Sequence, residues 1–172
     1  MRPINFKDNP RIITLIHLIN ENPGIRYNEI SKRSGFVNGT LSHYLIRMEC
    51  NKMIRASRKS RCAWFFPFNS LQEEDDIIIN LRKETTRTIL LYLLQKNSAT
   101  LSEIAFEINK SPSTTSIALS KLHEKEIIRK VLGQNRKYEI QNKGLVIEIL
   151  QKTNPSLLDK LTDRFADTFS YF

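Results

Sequence analysis

Glycine and proline are scarce in this 172-residue chain, at five and six residues. A Pro- or Gly-rich disordered tract is thereby excluded, and with 40% hydrophobic residues the chain reads as globular. No Walker A, G-x-S-x-G or H-E-x-x-H pattern occurs, so no phosphate-cradling loop or catalytic centre is evident and no enzyme is expected. Cysteine is limited to Cys50 and Cys62, in no C-x-x-C arrangement, which gives neither a disulfide framework nor a zinc site. A redox switch at Cys62 and a pair of unremarkable thiols remain as readings. His17, His43 and His123 are scattered without ligand-spaced Cys or carboxylate partners, so neither a metal nor another cofactor is expected. No apolar run approaches the ~20 residues of a membrane span, and Met1–Pro10 lacks the apolar core of a secretory signal. The expectation is a cytoplasmic protein without membrane contact.

What the chain has in excess is positive charge. Its formal net charge is +9, which favours nucleic acid or an anionic membrane surface as partner. Residues 1–68 hold 12 Lys/Arg against 4 Asp/Glu, residues 69–142 hold 11 against 10, and residues 143–172 hold 4 against 4. Nearly all the net charge belongs to the first third.

Along that third, Asn9-Pro10 can start a helix with Asn as N-cap, and Ile12, Leu15, Ile16 and Ile19 then share one face. Asn22-Pro23-Gly24 stops it. A short second helix is expected over Asn28–Arg33, closed by Gly35 in the left-handed conformation. Asn38 is a plausible N-cap for a third helix, with Leu41, Leu45 and Met48 inward and Thr40, Ser42, His43 and Arg47 away from that stripe. Beyond Ile54 two short segments around a charged turn suggest a β-hairpin carrying Trp64, Phe65 and Phe66. Those aromatics either stack on bases or fill the core.

Sliding the chain on itself by 74 positions repeats this pattern without a gap. Glu29 falls on Glu103, Ile30 on Ile104, Thr40 on Thr114, Ser42 on Ser116, Leu45 on Leu119, Ile54 on Ile128, Arg55 on Arg129 and Trp64 on Tyr138. The organisation read from this is a first domain at 1–68, an acidic helical linker at 69–83, a second domain at 84–142 and C-terminal helices at 143–172. Ser70 and Glu73 have capping-box spacing, so the linker is either a helix running through to Lys96 or a solvated acidic loop. At the C-terminus Leu157, Leu158, Leu161, Phe165 and Phe169 form an apolar stripe that packs on its own domain or forms a homodimer interface.

A third helix with small polar residues at its start fits the DNA major groove while the preceding helix crosses the backbone. The candidate contacts are Asn38, Thr40, Ser42, His43, Arg47 and Arg55, with Arg58, Lys59 and Arg61 of the basic hairpin meeting the sugar-phosphate backbone or the adjacent minor groove.

These residues are where the chain resembles the winged helix-turn-helix transcription regulators of the MarR and ArsR kind, and most closely the archaeal predicted regulators with two such domains. NPGIRYNEISKRSGFVNGTLSHYLIRMECNKMI looks like their recurring signature, and LSEIAFEINKSPSTTSIALSKLHEKEII repeats it. The resemblance implies a mainly α fold with small β-hairpins: tandem winged helix-turn-helix domains and a C-terminal helix. It also implies groove-facing Ser113, Thr114 and Ser116 in the second copy, where Lys121, Arg136 and Lys137 join the DNA-contact candidates. Two departures stand out. Met53 occupies a usual glycine position, and Ile117 stands where the first copy has His43. An apolar residue offers no hydrogen bond, so the second copy meets either DNA or protein. The function expected is sequence-specific binding of double-stranded DNA for transcription control, with the first domain as main reader. The alternative is a tandem winged-helix protein-interaction scaffold that does not read DNA.

Overall fold

Asn9 opens the first helix, α1 (Pro10–Glu21): its side chain accepts from the Arg11 amide, and Pro10 sits where a missing N–H costs nothing. The structure, a computed structural model, describes residues 9–59, 62–131 and 136–157. It divides into two units, Met1–Asp75 and Asp76–Phe172.

In the first unit α1 is followed by a two-residue strand β1 (Ile25–Arg26), helix α2 (Tyr27–Ser34) and helix α3 (Asn38–Cys50). The antiparallel strands β2 (Ile54–Lys59) and β3 (Cys62–Pro67) complete it. The sheet order is β1-β3-β2, so the hairpin has a third strand, β1, that the sequence reading missed. Two residues are too few to show alternation, and only pairing with Trp64 and Phe65 defines them as a strand. Ile12, Leu15 and Ile19 of α1 meet Ile30, Leu41, Leu45, Met48, Ile54 and Phe65 in one buried cluster. Each fully buried aliphatic side chain contributes about 2 kcal/mol by leaving water.

Trp64, Phe65 and Phe66 are all buried, which excludes base stacking in this structure. They alternate across the sheet. Phe65 enters the cluster, while Arg26 lies 4.3 Å from the Trp64 ring centroid and Arg55 lies 5.1 Å from that of Phe66.

The second unit holds α4 (Asp75–Arg82, its first residue belonging to the first unit), α5 (Glu84–Lys96), β4 (Ser98–Thr100), α6 (Leu101–Glu107) and α7 (Pro112–Glu124). Strands β5 (Ile128–Val131) and β6 (Lys137–Ile140) and helix α8 (Lys143–Thr153) follow, with sheet order β4-β6-β5. Helix α3 begins at Asn38 and α7 at Pro112, and strands β2 and β5 begin at Ile54 and Ile128, each displaced by the register read in the sequence. The pairing of Glu29 with Glu103 now has a physical cause. Each carboxylate accepts from the backbone amide before its helix, Arg26 at 3.1 Å and Thr100 at 2.7 Å, satisfying a donor that the helix leaves open.

Three expectations are corrected. Asn38 is not the N-cap of α3; Val37 is, and no side chain caps that end. The acidic stretch is not one helix to Lys96. A single 3-10 turn (Gln72–Glu74) leads into α4, and Lys83, in extended conformation, separates it from α5. The buried Thr86 hydroxyl donates to the Asn80 carbonyl at 2.6 Å, which compensates that break. Ser70 makes no capping box either: its hydroxyl donates to the Pro67 carbonyl. Left-handed geometry appears at Gly35 as expected and also at Lys52 and Glu126. The turn into the hairpin thus places its positive φ one residue before Met53. Among the described residues no helix is long and apolar enough to cross a membrane.

Candidate nucleic-acid interface

Helix α3 turns Leu41, Leu45 and Met48 inward, which leaves His43, Ile46, Arg47 and Cys50 on its exposed face and Thr40 and Ser42 half-buried at its flanks. Asn38 and Gly39 are exposed at its start. Val37 provides no side-chain cap, and helix-start amides left without one suit an anion such as phosphate. The His43 ring meets the edge of Tyr44 at 6.0 Å between centroids. Ile46, passed over in the sequence, is 58% exposed and offers an apolar contact of the kind a thymine methyl accepts.

Tyr27 is a residue beside this face that the sequence did not single out. Its ring packs against the core cluster. Its hydroxyl donates to the Asn38 carbonyl at 2.8 Å and lies 2.9 Å from Ser42 Oγ. Tyr27 thereby ties the start of α2 to the first two turns of α3, through links across 11 and 15 residues that no spacing rule announces.

The basic hairpin splits by face. Arg55 is turned inward, contrary to its expected DNA contact. Its Nη atoms donate to both Asp75 carboxylate oxygens at 2.7 and 2.8 Å and to Ser70 Oγ at 2.8 Å, with the guanidinium over Phe66. Arg58 is exposed and holds Glu49 of α3 through two hydrogen bonds at 2.8 and 2.5 Å. That bonding, partly offset by burial and reinforced by the Arg58 charge, keeps the Glu49 carboxyl below the usual carboxylate range. Lys59 ends β2, and Arg61 lies outside the described residues.

In the second unit Ser113, Thr114, Ser116, Ile117 and Lys121 are exposed on α7, and Arg136 and Lys137 are exposed at the start of β6. Here the helix is capped: Ser111 accepts from the Thr114 amide at 3.3 Å and contacts the Ser113 and Thr114 hydroxyls at 3.0 and 2.9 Å. Ser113 and Thr114 are therefore engaged in the cap itself. Ile117 is 57% exposed and Phe106 of α6 is 88% exposed. Of the C-terminal stripe, Leu157 is half-buried, and Leu158, Leu161, Phe165 and Phe169 lie outside the described residues. No group of three or more His, Cys, Asp or Glu that could hold a metal ion occurs among the described residues.

Mostly helical architecture with small antiparallel sheets is consistent with the winged helix-turn-helix class. The model of the bacterial regulatory protein arsR family matches residues 84–130, from α5 through most of β5. An uncharacterized HTH-type transcriptional regulator of Methanocaldococcus jannaschii, MJ1398, is 27% identical over 139 residues, covering 77% of this chain and 35% of that protein. The chain thus spans about a third of that relative's length. Among solved structures, the DIP2311 protein of Corynebacterium diphtheriae aligns over 81% of this chain and 27% of its own, at 15% identity and a TM-score of 0.29, too loose a superposition to define a shared fold.

Proposed function

We propose that this protein is a DNA-binding transcription regulator built from tandem winged helix-turn-helix domains, in which α3 enters the major groove of duplex DNA and reads its sequence. The observation behind this reading is the outer surface of α3: an uncapped helix start, exposed His43 and Arg47 flanked by half-buried Thr40 and Ser42, and the basic hairpin beside it. Groove-facing side chains specify bases, while helix amides and hairpin cations hold phosphates. Arg58, Lys59 and Arg61 form the phosphate-contacting set, and Arg55 is left out because Asp75 neutralises it. The arsR-family match to residues 84–130 and the regulator-named relative support the same class.

Binding to duplex DNA is expected to weaken steeply with salt. Changing Arg58, Lys59 and Arg61 together to Ala should flatten the dependence, by roughly one unit of log-log slope for each phosphate no longer engaged. A triple variant that binds like the parent at every salt concentration removes the hairpin from the interface.

A second reading applies to the second unit. Exposed Phe106 and Ile117, together with the near-neutral balance of residues 69–142, favour a protein contact there over a DNA contact. In its extreme form this is the scaffold alternative, in which neither unit reads DNA and duplex binding is absent at low salt. The homodimer proposal rests on the C-terminal apolar stripe. Deleting residues 154–172 should lower the mass seen by light scattering, and an unchanged mass assigns the stripe to internal packing.

A further inference from the structure

The hydroxyl of Ser42 has a polarity that its neighbours impose. Tyr27 lies within hydrogen-bond distance of both the Asn38 carbonyl oxygen, at 2.8 Å, and Ser42 Oγ, at 2.9 Å. A carbonyl oxygen only accepts, and a phenol has one proton, so that proton goes to Asn38. The second bond must then run from Ser42 to Tyr27. Serine also has one hydroxyl proton. With it committed to Tyr27, Ser42 Oγ has only lone pairs left for a group approaching from outside.

We propose that Tyr27 makes Ser42 an acceptor-only reader, so that α3 selects, at one position of one strand, a base bearing an exocyclic amino group. In the major groove adenine presents its N6 amino group and cytosine its N4 amino group, whereas guanine presents N7 and O6 and thymine presents O4, all acceptors. An acceptor facing an acceptor leaves both unsatisfied, so guanine and thymine are disfavoured there. Half-burial of Ser42 and packing of the Tyr27 ring on the core hold the relay in place. In the second unit Leu101 stands 74 residues after Tyr27. Ser116 therefore has no phenol to fix its proton, and its hydroxyl can turn either way. Tyr27 is thus a positioning residue, and Ser42 the one that touches the base.

This inference rests on the proposed entry of α3 into the groove, and its test separates the two. Duplexes are selected from a random pool by the full wild-type chain, by Ser42→Ala and by Tyr27→Phe, each checked for fold by circular dichroism. Wild type should enrich adenine or cytosine at one position that Ser42→Ala no longer discriminates. Replacing that base by its analogue without the amino group, purine or 2-pyrimidinone, should weaken wild type about fivefold and leave Ser42→Ala unchanged. Tyr27→Phe should admit guanine or thymine there with the rest of the motif retained. Should Tyr27→Phe fail to fold, the amino-deleted duplexes decide alone. A motif untouched by Ser42→Ala, a Ser42-dependent preference for guanine or thymine, or an unaltered motif in folded Tyr27→Phe overturns the inference while leaving DNA reading intact. Absence of any duplex binding by wild type overturns both.

Discussion

Arg55 and Arg58 stand three positions apart on one strand, so they project from opposite faces of the sheet. On one face Arg55 crosses to Phe66, its register partner, and meets the carboxylate of Asp75, whose side chain is 3% exposed. On the other Arg58 lies at the surface beside α3. Linear sequence presents two equivalent cations, and only the chain's return at Asp75 tells them apart. Removing one partner of a buried ion pair leaves the other charge without compensation, and that loss outweighs the pair's own net worth. Asp75→Ala is therefore expected to cost about 3 kcal/mol of stability, read as a lowered urea midpoint at constant slope. Arg55→Met combined with Asp75→Leu should recover most of it, because no charge is then left buried. If the double variant is as unstable as Asp75→Ala alone, the site holds the fold through something other than charge.

At the level of elements, the hydrophobic stripes were legible because helical periodicity depends on nearby residues alone. Leu41, Leu45 and Met48 are buried as their spacing required. Contacts between elements were not legible. Glu49 and Arg58 are nine residues apart on α3 and β2, and no local rule joins them, yet their pair couples α3 to the hairpin. On the proposed reading, Glu49 competes with phosphate for Arg58. Glu49→Gln should raise duplex affinity about threefold and steepen its salt dependence by up to about one unit of log-log slope. The pH dependence follows from the lowered pKa of Glu49. A depressed carboxylate contributes stability that is complete above its unfolded value, about 4.3, and is lost as pH falls through the lower folded value. Wild type and Glu49→Gln should run parallel above about pH 5 and converge under acid; profiles still parallel at low pH would remove the pair from the stability balance. The α2–α3 turn offers a cleaner local test. Gly35 has φ +69° and nothing within 4 Å of an added Cβ. Gly35→Ala should thus cost about 1 kcal/mol through backbone conformation alone, measurable by denaturant unfolding, with duplex specificity unchanged.

Across the whole molecule, two units share an element order but not a surface. The first has an uncapped third helix, His43 and an excess of cations; the second has a Ser111-capped helix, Ile117 and a near balance of charge. The repeat was readable because buried positions in both units obey the same packing rules. The inequality of charge and the exchange of His43 for Ile117 were readable too, whereas the Ser111 cap and the exposure of Phe106 required the structure because they depend on how helices meet. Yet the arsR-family match covers 84–130, in the second unit. Family likeness follows the buried frame, whereas DNA contact depends on the exposed face, and the two need not peak in the same unit. Substituting the equivalent position in each unit separates them. His43→Ala should weaken duplex binding about tenfold, the scale of removing a base contact, while Ile117→Ala should change it less than about twofold. Ile117→His tests the converse: if the second helix already lies near DNA, an imidazole there should strengthen binding and lengthen the protected site in footprinting. Equal losses for His43→Ala and Ile117→Ala would make the units equal readers, and a loss confined to Ile117→Ala would move the reader to α7.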